Sequence, residues 1–228
     1  MAKKVAVLFS GGKDSCLAFE KAVEEGYDVG FLLNIFPKNK DSFMFHKANN
    51  ELLEEQAGQL DRPLLIMKSE GEKEKEVEDL KKLIKGVEEE IDGVVTGGIA
   101  SSYQGKRIQK ICEDLGLEFI APVWHHSSED IWEGLLERGF KVVITRISCD
   151  GLKKEWLNKV IDREAVRELM KLSEKHKFRL DFEGGEAETT VLDMPEFKKE
   201  IKISGSIESE GKYRHFFNIG DIEFKDKS

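Results

Sequence analysis

Apolar residues in this chain come in short unbroken runs separated by longer stretches with helical spacing. Val5-Ala-Val-Leu-Phe9 is the first run, and it stops at Ser10-Gly-Gly-Lys-Asp-Ser15. An uninterrupted run of this length reads as a strand covered on both faces, as in a parallel sheet. An amphipathic pattern follows from Cys16 to about Glu25, then a second strand over 28–36 that Pro37 ends. The alternation continues. Residues 43–60 have helical spacing, and 64–67 make a short third strand. Residues 70–90 are densely charged but carry one apolar stripe at Val77, Leu80, Leu83, Ile84 and Val87, the mark of a solvated helix. A fourth strand over 91–98 has a Gly-rich end. A helix over 101–115 stops at Gly116, and 117–121 is a fifth strand. Five strands alternating with helices predict a doubly wound five-stranded parallel sheet of the α/β class.

The pattern changes after Val123. Helices are expected over 131–137, 152–160 and 163–176, with strands over 140–147, 188–192, 200–204, 206–210 and 215–219. This predicts a second, α+β domain, so the expected division is 1–124 and 125–228. In doubly wound sheets, ligands bind beyond the carboxyl ends of the strands, at the switch point. Three chemically rich segments fall at such ends: 10–15, 34–46 and 97–105.

Composition narrows the setting. A net charge of −9 argues against a broad nucleic-acid footprint, so no stable nucleic-acid partner is expected. No apolar run is long enough to span a membrane, and Met1-Ala-Lys-Lys precedes too short a run for a signal peptide, so a cytoplasmic location is expected. Cys16, Cys112 and Cys149 are far apart and read as reduced thiols. Abundant Lys and Glu with scarce Gln fit a thermophilic source.

The chemistry starts at Ser10. Strand, Gly-rich turn and helix N-terminus together make a phosphate site, because free N–H groups and the positive dipole end face the ligand. Gly11 and Gly12 are expected to turn the chain sharply with positive φ; they are adjacent and Asp14 follows Lys13, so this is neither the usual P-loop nor a dinucleotide fingerprint. Ser-Gly-Gly-Lys-Asp-Ser resembles the PP-loop of the N-type ATP pyrophosphatases. Further segments carry a closer resemblance: Asp41-Ser-Phe-Met-Phe-His46, Gly97-Gly-Ile-Ala-Ser-Ser-Tyr-Gln104 with Arg107, Pro122-Val-Trp124, Gly151-Leu-Lys-Lys-Glu-Trp-Leu157 and Glu183-Gly-Gly-Glu-Ala-Glu-Thr189. In this order they resemble the diphthine–ammonia ligase (diphthamide synthase) family, archaeal type, over nearly the whole chain.

That resemblance implies an adenine-nucleotide alpha-hydrolase-like (HUP) sheet and an ATP-dependent, AMP-forming acid–ammonia ligase. It implies ATP adenylating the diphthine carboxylate on translation elongation factor 2, with pyrophosphate leaving and ammonium supplying the nitrogen of diphthamide. It also implies site residues. Ser10, Gly11, Gly12, Lys13, Asp14 and Ser15 would bind ATP, with Lys13, Ser10 and Asp14 catalytic. Asp14 has two readings, a helix cap or a Mg²⁺ ligand. The backbone at Leu33 and Asn34 would meet adenine, and Gly97, Gly98 and Ile99 the ribose or α-phosphate. Ser102, Tyr103, Gln104 and Arg107 would take the acyl-adenylate, while Ser101 has the plainer reading of an N-cap. His46 reads either as a substrate contact or as a structural histidine. His125 and His126 read as surface or hinge residues. Glu183, Gly184, Gly185, Glu186, Glu188 and Thr189 would face the substrate: the acidic loop could hold Mg²⁺, orient ammonium or meet the cationic amine of diphthine, and its paired glycines imply a close backbone approach. Trp156 reads as a cation–π partner or a core residue. Two competing readings are a PP-loop enzyme acting on tRNA and a non-catalytic adenine-nucleotide-binding protein.

Overall fold

The computed structural model describes residues 2–37, 50–70, 73–98 and 102–227, and it divides into two compact units, Met1–His125 and His126–Ser228. Unit one alternates strands with helices: β1 (Lys4–Leu8), α1 (Lys13–Glu24), β2 (Asp28–Pro37), α2 (Asn50–Leu60), β3 (Leu64–Ser69), α3 (Lys73–Lys85), β4 (Gly93–Val95), α4 (Ser102–Leu115) and β5 (Glu118–Ile120). The strands form one all-parallel sheet ordered β3-β2-β1-β4-β5. The order reverses between β1 and β4, which makes the ends of those two strands the switch point.

The expected double burial is present. Val5, Ala6 and Val7 are all fully buried, although adjacent side chains of a strand point to opposite faces. Ala6 joins one core cluster with Leu80, Leu83 and Ile84 of α3 and Ile108, Ile111 and Cys112 of α4. These residues recur at the three- and four-residue spacing that lines one helix face, so the stripe seen in 70–90 is the buried side of α3. That helix is shorter than expected, however. It stops at Lys85, and Glu88–Glu90 is a separate 3₁₀ turn. Only the second half of the predicted 43–60 helix lies among the described residues, as α2.

Unit two holds α5 (Ser128–Glu137), β6 (Lys141–Ser148), α6 (Arg163–His176), β7 (Ala187–Asp193), β8 (Glu200–Glu210) and β9 (Arg214–Lys225). Its sheet is antiparallel, ordered β7-β6-β9-β8. Ser127 and Asp130 form a reciprocal capping box at α5, and Asp162 caps α6 by accepting from Ala165 N–H. Two expectations fail here. Residues 152–160 are not a helix: only Lys154–Trp156 turns, as 3₁₀. The following residues spend their backbone groups on β6 instead. Asn158 N–H donates to Ile144 O and Ile161 N–H to Val142 O, and Asn158 itself is left-handed at φ 55°. The predicted break between 200–204 and 206–210 is absorbed by a β-bulge at Ser204/Gly205, so β8 is continuous, and β9 runs past Ile219 to Lys225. No helix among the described residues is long and apolar enough to cross a membrane.

Candidate active site

The site begins where β1 runs out. Phe9 N–H still donates to Leu33 O at 2.8 Å, closing the last rung toward β2. Gly11 then takes φ +72°, a conformation that opposes any side chain with a Cβ. Gly12 does not share it. It sits extended at φ −82° as the N-cap of α1, so one glycine, not two, makes the sharp turn. The helix therefore starts at Lys13, earlier than its apolar spacing suggests, and its first N–H groups open onto the switch point.

Side chains lock this loop from within. Ser10 N–H donates to Ser15 Oγ at 3.2 Å, the two hydroxyls lie 3.1 Å apart, and Ser15 Oγ donates to Gly12 O at 3.1 Å. Lys13 is almost entirely buried, and its Nζ donates to both carboxylate oxygens of Asp14, at 2.9 and 2.7 Å. A buried ammonium needs such a counter-charge, because desolvation of an uncompensated ion costs several kcal/mol. Asp14 does not cap the helix. The cap residue is Gly12 and no side chain bonds there, so of the two readings of Asp14 the cap is wrong. Asp14 lies in the first turn, where the helix dipole still favours its charge.

The flanks come from β2, α2 and β4. Leu33 and Asn34 sit inside the β1–β2–β3 ladder, with Leu33 O already accepting from Phe9. The group that faces away from the ladder is the Asn34 side chain. Its Nδ2 donates to Phe9 O at 2.8 Å, while Oδ1 is buried with no partner among the described residues. On the other side, Gly97 presses on the start of α1, where a Cβ would lie 2.6 Å from the backbone of Asp14 and Ser15. Gly98 is roomier. The structure thus gathers residues 10–15, Asn34 and Gly97 at the switch point.

Several other expected residues lie wholly or partly outside the described residues. His46, Ile99 and Ser101 lie outside the described residues. Ser102, Tyr103 and Gln104 open α4, but their side chains also lie outside what is described. Arg107 follows one turn on, half-buried. Trp124 stacks edge-on against Phe119, and its indole N–H donates to His125 Nε2 at 2.6 Å, so His125 is tied to a chain neighbour.

In unit two, Glu183, Gly184, Gly185 and Glu186 form the turn into β7. Arg179 and Asp181 pair through two hydrogen bonds of 2.9 and 2.8 Å, and Asp181 also accepts from Glu183 N–H and Ser128 Oγ. Burial pushes the Asp181 carboxyl up, but these donors outweigh it and hold it below its ordinary value. Glu186 Oε1 accepts from Arg179 N–H, and its Oε2 is buried without a partner among the described residues. The paired glycines do not mark a close backbone approach. The three atoms nearest a Cβ on Gly184 all belong to the Glu186 carboxylate, and one on Gly185 meets nothing within 4 Å among the described residues, although Gly185 is at φ +83°. Glu188 pairs with Arg146 Nη1 at 2.8 Å, and Arg146 lies over the Phe216 ring. Thr189 faces Ile144 across the β6–β7 ladder. Trp156 is buried and carries Lys159 over its ring at 4.7 Å, so it is a core residue whose cation–π partner is internal.

Arg146 and Gln56 were not anticipated. Gln56 reaches from α2 to donate to Gly11 O at 3.0 Å. The three thiols are free, and burial raises each, Cys112 and Cys149 to about 11, which leaves them unreactive at neutral pH.

A buried lysine, two hydroxyls and a helix N-terminus at the switch point of a parallel sheet define a nucleotide-binding α/β domain of the PP-loop class. The diphthamide synthase N-terminal domain matches residues 3–119, and the diphthamide synthase C-terminal domain matches residues 127–227. The chain belongs to the diphthamide synthase family. It is similar to the diphthine–ammonia ligase of Mus musculus, 33% identical over 228 residues that span 89% of this chain and 84% of the mouse protein. The Homo sapiens diphthine–ammonia ligase is 31% identical with the same coverage of both chains. The Schizosaccharomyces pombe diphthine–ammonia ligase is 32% identical, but the match takes in only 36% of its length.

Proposed function

We propose that this protein is an ATP-dependent diphthine–ammonia ligase that amidates the diphthine carboxylate on translation elongation factor 2, the last step in making diphthamide. A carboxylate oxygen attacks the α-phosphorus of ATP, the bond to the α,β-bridging oxygen breaks, and pyrophosphate leaves. Ammonia then attacks the acyl carbon. The acyl–oxygen bond breaks, AMP departs with that oxygen, and the nitrogen sheds its extra protons to solvent.

The single observation that carries this reading is the Ser10–Ser15 loop, with Lys13 buried in it, in a chain whose two halves both match the family. Gly11, Gly12 and the first N–H groups of α1 bind the β- and γ-phosphates, joined by the Ser10 and Ser15 hydroxyls. Lys13 neutralises the charge that grows on departing pyrophosphate, an interaction stronger in the transition state than in bound ATP. Gly97 keeps the crevice between β1 and β4 shallow enough for the α-phosphate to reach the helix start. The backbone around Leu33 and Asn34 contacts adenine, with Asn34 Nδ2 holding Phe9 O in place. Gly98 and Ile99 border the ribose, and Ser102, Tyr103, Gln104 and Arg107 hold the acyl-adenylate. In unit two, Glu183, Gly184, Gly185, Glu186, Glu188 and Thr189 recognise the quaternary amine, and His46 contacts substrate.

Magnesium fits as an ion carried by the nucleotide. Mg²⁺ is commonly held by one or two carboxylates plus substrate phosphates. Asp14 supplies one carboxylate, about a quarter exposed, at the loop. When bound there, the ion would neutralise phosphate charge alongside Lys13. We assign the cytoplasm as the site of action.

The test is to incubate the protein with ATP, ammonium and diphthine-bearing elongation factor 2. AMP and pyrophosphate should appear only with the factor present, together with the small mass decrease of carboxylate-to-amide conversion. Pyrophosphate release that requires tRNA instead, or ATP bound and never cleaved under any condition, would overturn it.

A further inference from the structure

The phosphate loop is held from outside by a residue of α2. We propose that Gln56 is the positioning residue of this loop and sets ATP affinity without touching the nucleotide. The inference rests on the reading of 10–15 as the ATP site.

Gln56 is only 1% exposed, in the middle of α2, on the face that also buries Leu52, Leu53, Ala57 and Leu60. An amide among aliphatic side chains is costly unless it is bonded, and its Nε2 donates to Gly11 O at 3.0 Å. The acceptor is the carbonyl of the one residue in the loop with positive φ. The Gly11–Gly12 peptide is thereby pinned with its oxygen turned toward α2. A peptide has one orientation: fixing the carbonyl on one side aims the N–H of Gly12 to the other, where it makes a long 3.4 Å hydrogen bond to Ser10 Oγ that a phosphate oxygen can replace.

The contact is also tight. A Cβ on Gly11 would lie 1.9 Å from Gln56 Oε1 and 2.8 Å from its carboxamide carbon. Gly11 is therefore glycine for two separable reasons, its φ and the amide packed against it. Asn34 does the corresponding work one step earlier, holding Phe9 O at 2.8 Å from β2. Between these two amides the chain from Phe9 to Gly11 is fixed before any ligand arrives. Preorganised N–H groups bind phosphate without a reorganisation cost at the moment of binding.

The test uses the full chain and ATP itself, with Kd from calorimetry and KM and kcat from AMP release. Gln56→Leu keeps the reach and the apolar packing but loses the donor. Its ATP Kd and KM should rise roughly ten-fold, equivalent to about 1.4 kcal/mol, while kcat at saturating ATP falls less than KM rises. Gln56→Asn, an amide one methylene shorter, should recover part of the loss. An independent arm keeps the idea testable should Gln56→Leu fold poorly. Gly11→Ala should lose ATP binding, and Gly11→Ala with Gln56→Ala should bind better than Gly11→Ala alone, because the second change removes the clash and leaves only the φ strain. A folded Gln56→Leu protein with wild-type Kd, or losses that simply add in the double variant, overturns the proposal. Failure of the wild type to bind ATP would instead refute the nucleotide reading beneath it.

Discussion

Gly97→Ala separates a residue that is glycine for packing from one that is glycine by tolerance. The added Cβ would lie 2.6 Å from Asp14 C, Asp14 O and Ser15 N. All three are main-chain atoms of the first turn of α1, so no rotamer relieves the contact. Ordinary contact begins at 3.4 Å, so the end of β4 and the start of α1 must part by about 0.8 Å. Both sides are anchored. Val94 and Val95 are fully buried, Thr96 N–H donates to Ile120 O at 2.9 Å, and Cys16 and Leu17 are buried on the helix. Overpacking of this kind costs roughly 1–3 kcal/mol, which in a chain of this size lowers Tm by about 3–10 °C. The displaced atoms carry the phosphate-binding N–H groups, and misplacement on the order of 1 Å can cost about 100-fold in rate. Gly98→Ala is the control. Its nearest neighbours would be Thr96 Oγ1 at 3.8 Å and the Trp124 ring at 3.9 Å, so Tm should stay within about 1 °C of wild type. Calorimetric Tm and pyrophosphate release are read on both variants. If Gly97→Ala matches wild type in both, or Gly98→Ala loses as much stability, the close approach of β4 to α1 does not govern the site.

Two further outcomes follow from the charges. Lys13→Met keeps the buried volume but removes the cation, so pyrophosphate release should fall about 10²–10³-fold in a quench assay. A smaller loss than ten-fold would mean that the helix N-terminus alone carries the leaving group. Asp181 is a stability prediction. Its carboxyl is held below 3.8 in the folded state, so the stability it contributes is present at neutral pH and fades as pH falls below about 4. Wild-type Tm should drop along that acid limb. Asp181→Asn should be less stable by roughly 2–3 kcal/mol at pH 7 and show a flatter limb, and parallel pH–Tm curves would contradict the assignment.

How much of this was legible beforehand depends on the range of the interactions involved. The parallel sheet was readable because doubly buried strands write continuous apolar runs, as Val5 to Phe9 does. The 163–176 helix was readable because its cap, its spacing and its basic end lie within one segment. The 152–160 segment misled because Leu152, Trp156 and Leu157 have helical spacing, yet they are buried in a strap whose backbone bonds to β6. Spacing cannot distinguish those two uses of the same apolar residues. The loop 10–15 announced its polar groups, but not that Gly12, rather than Asp14, caps the helix. Gln56 was invisible as a site residue because its partner is 45 positions away and is a backbone carbonyl. An amide within an apolar helix stripe was the one available signal. Arg146 was hidden for a similar reason, since only the β6–β7 register sets it opposite Glu188.

The central claim is that the substrate carboxylate itself attacks the α-phosphorus of ATP over the Ser10–Ser15 loop. Diphthine-bearing elongation factor 2 labelled with heavy oxygen in that carboxylate tests it most directly, in one turnover with ATP and ammonium. One heavy oxygen should appear in the AMP released, with the amide left on the factor. Amide formation with label-free AMP, or heavy oxygen in the pyrophosphate, would contradict it.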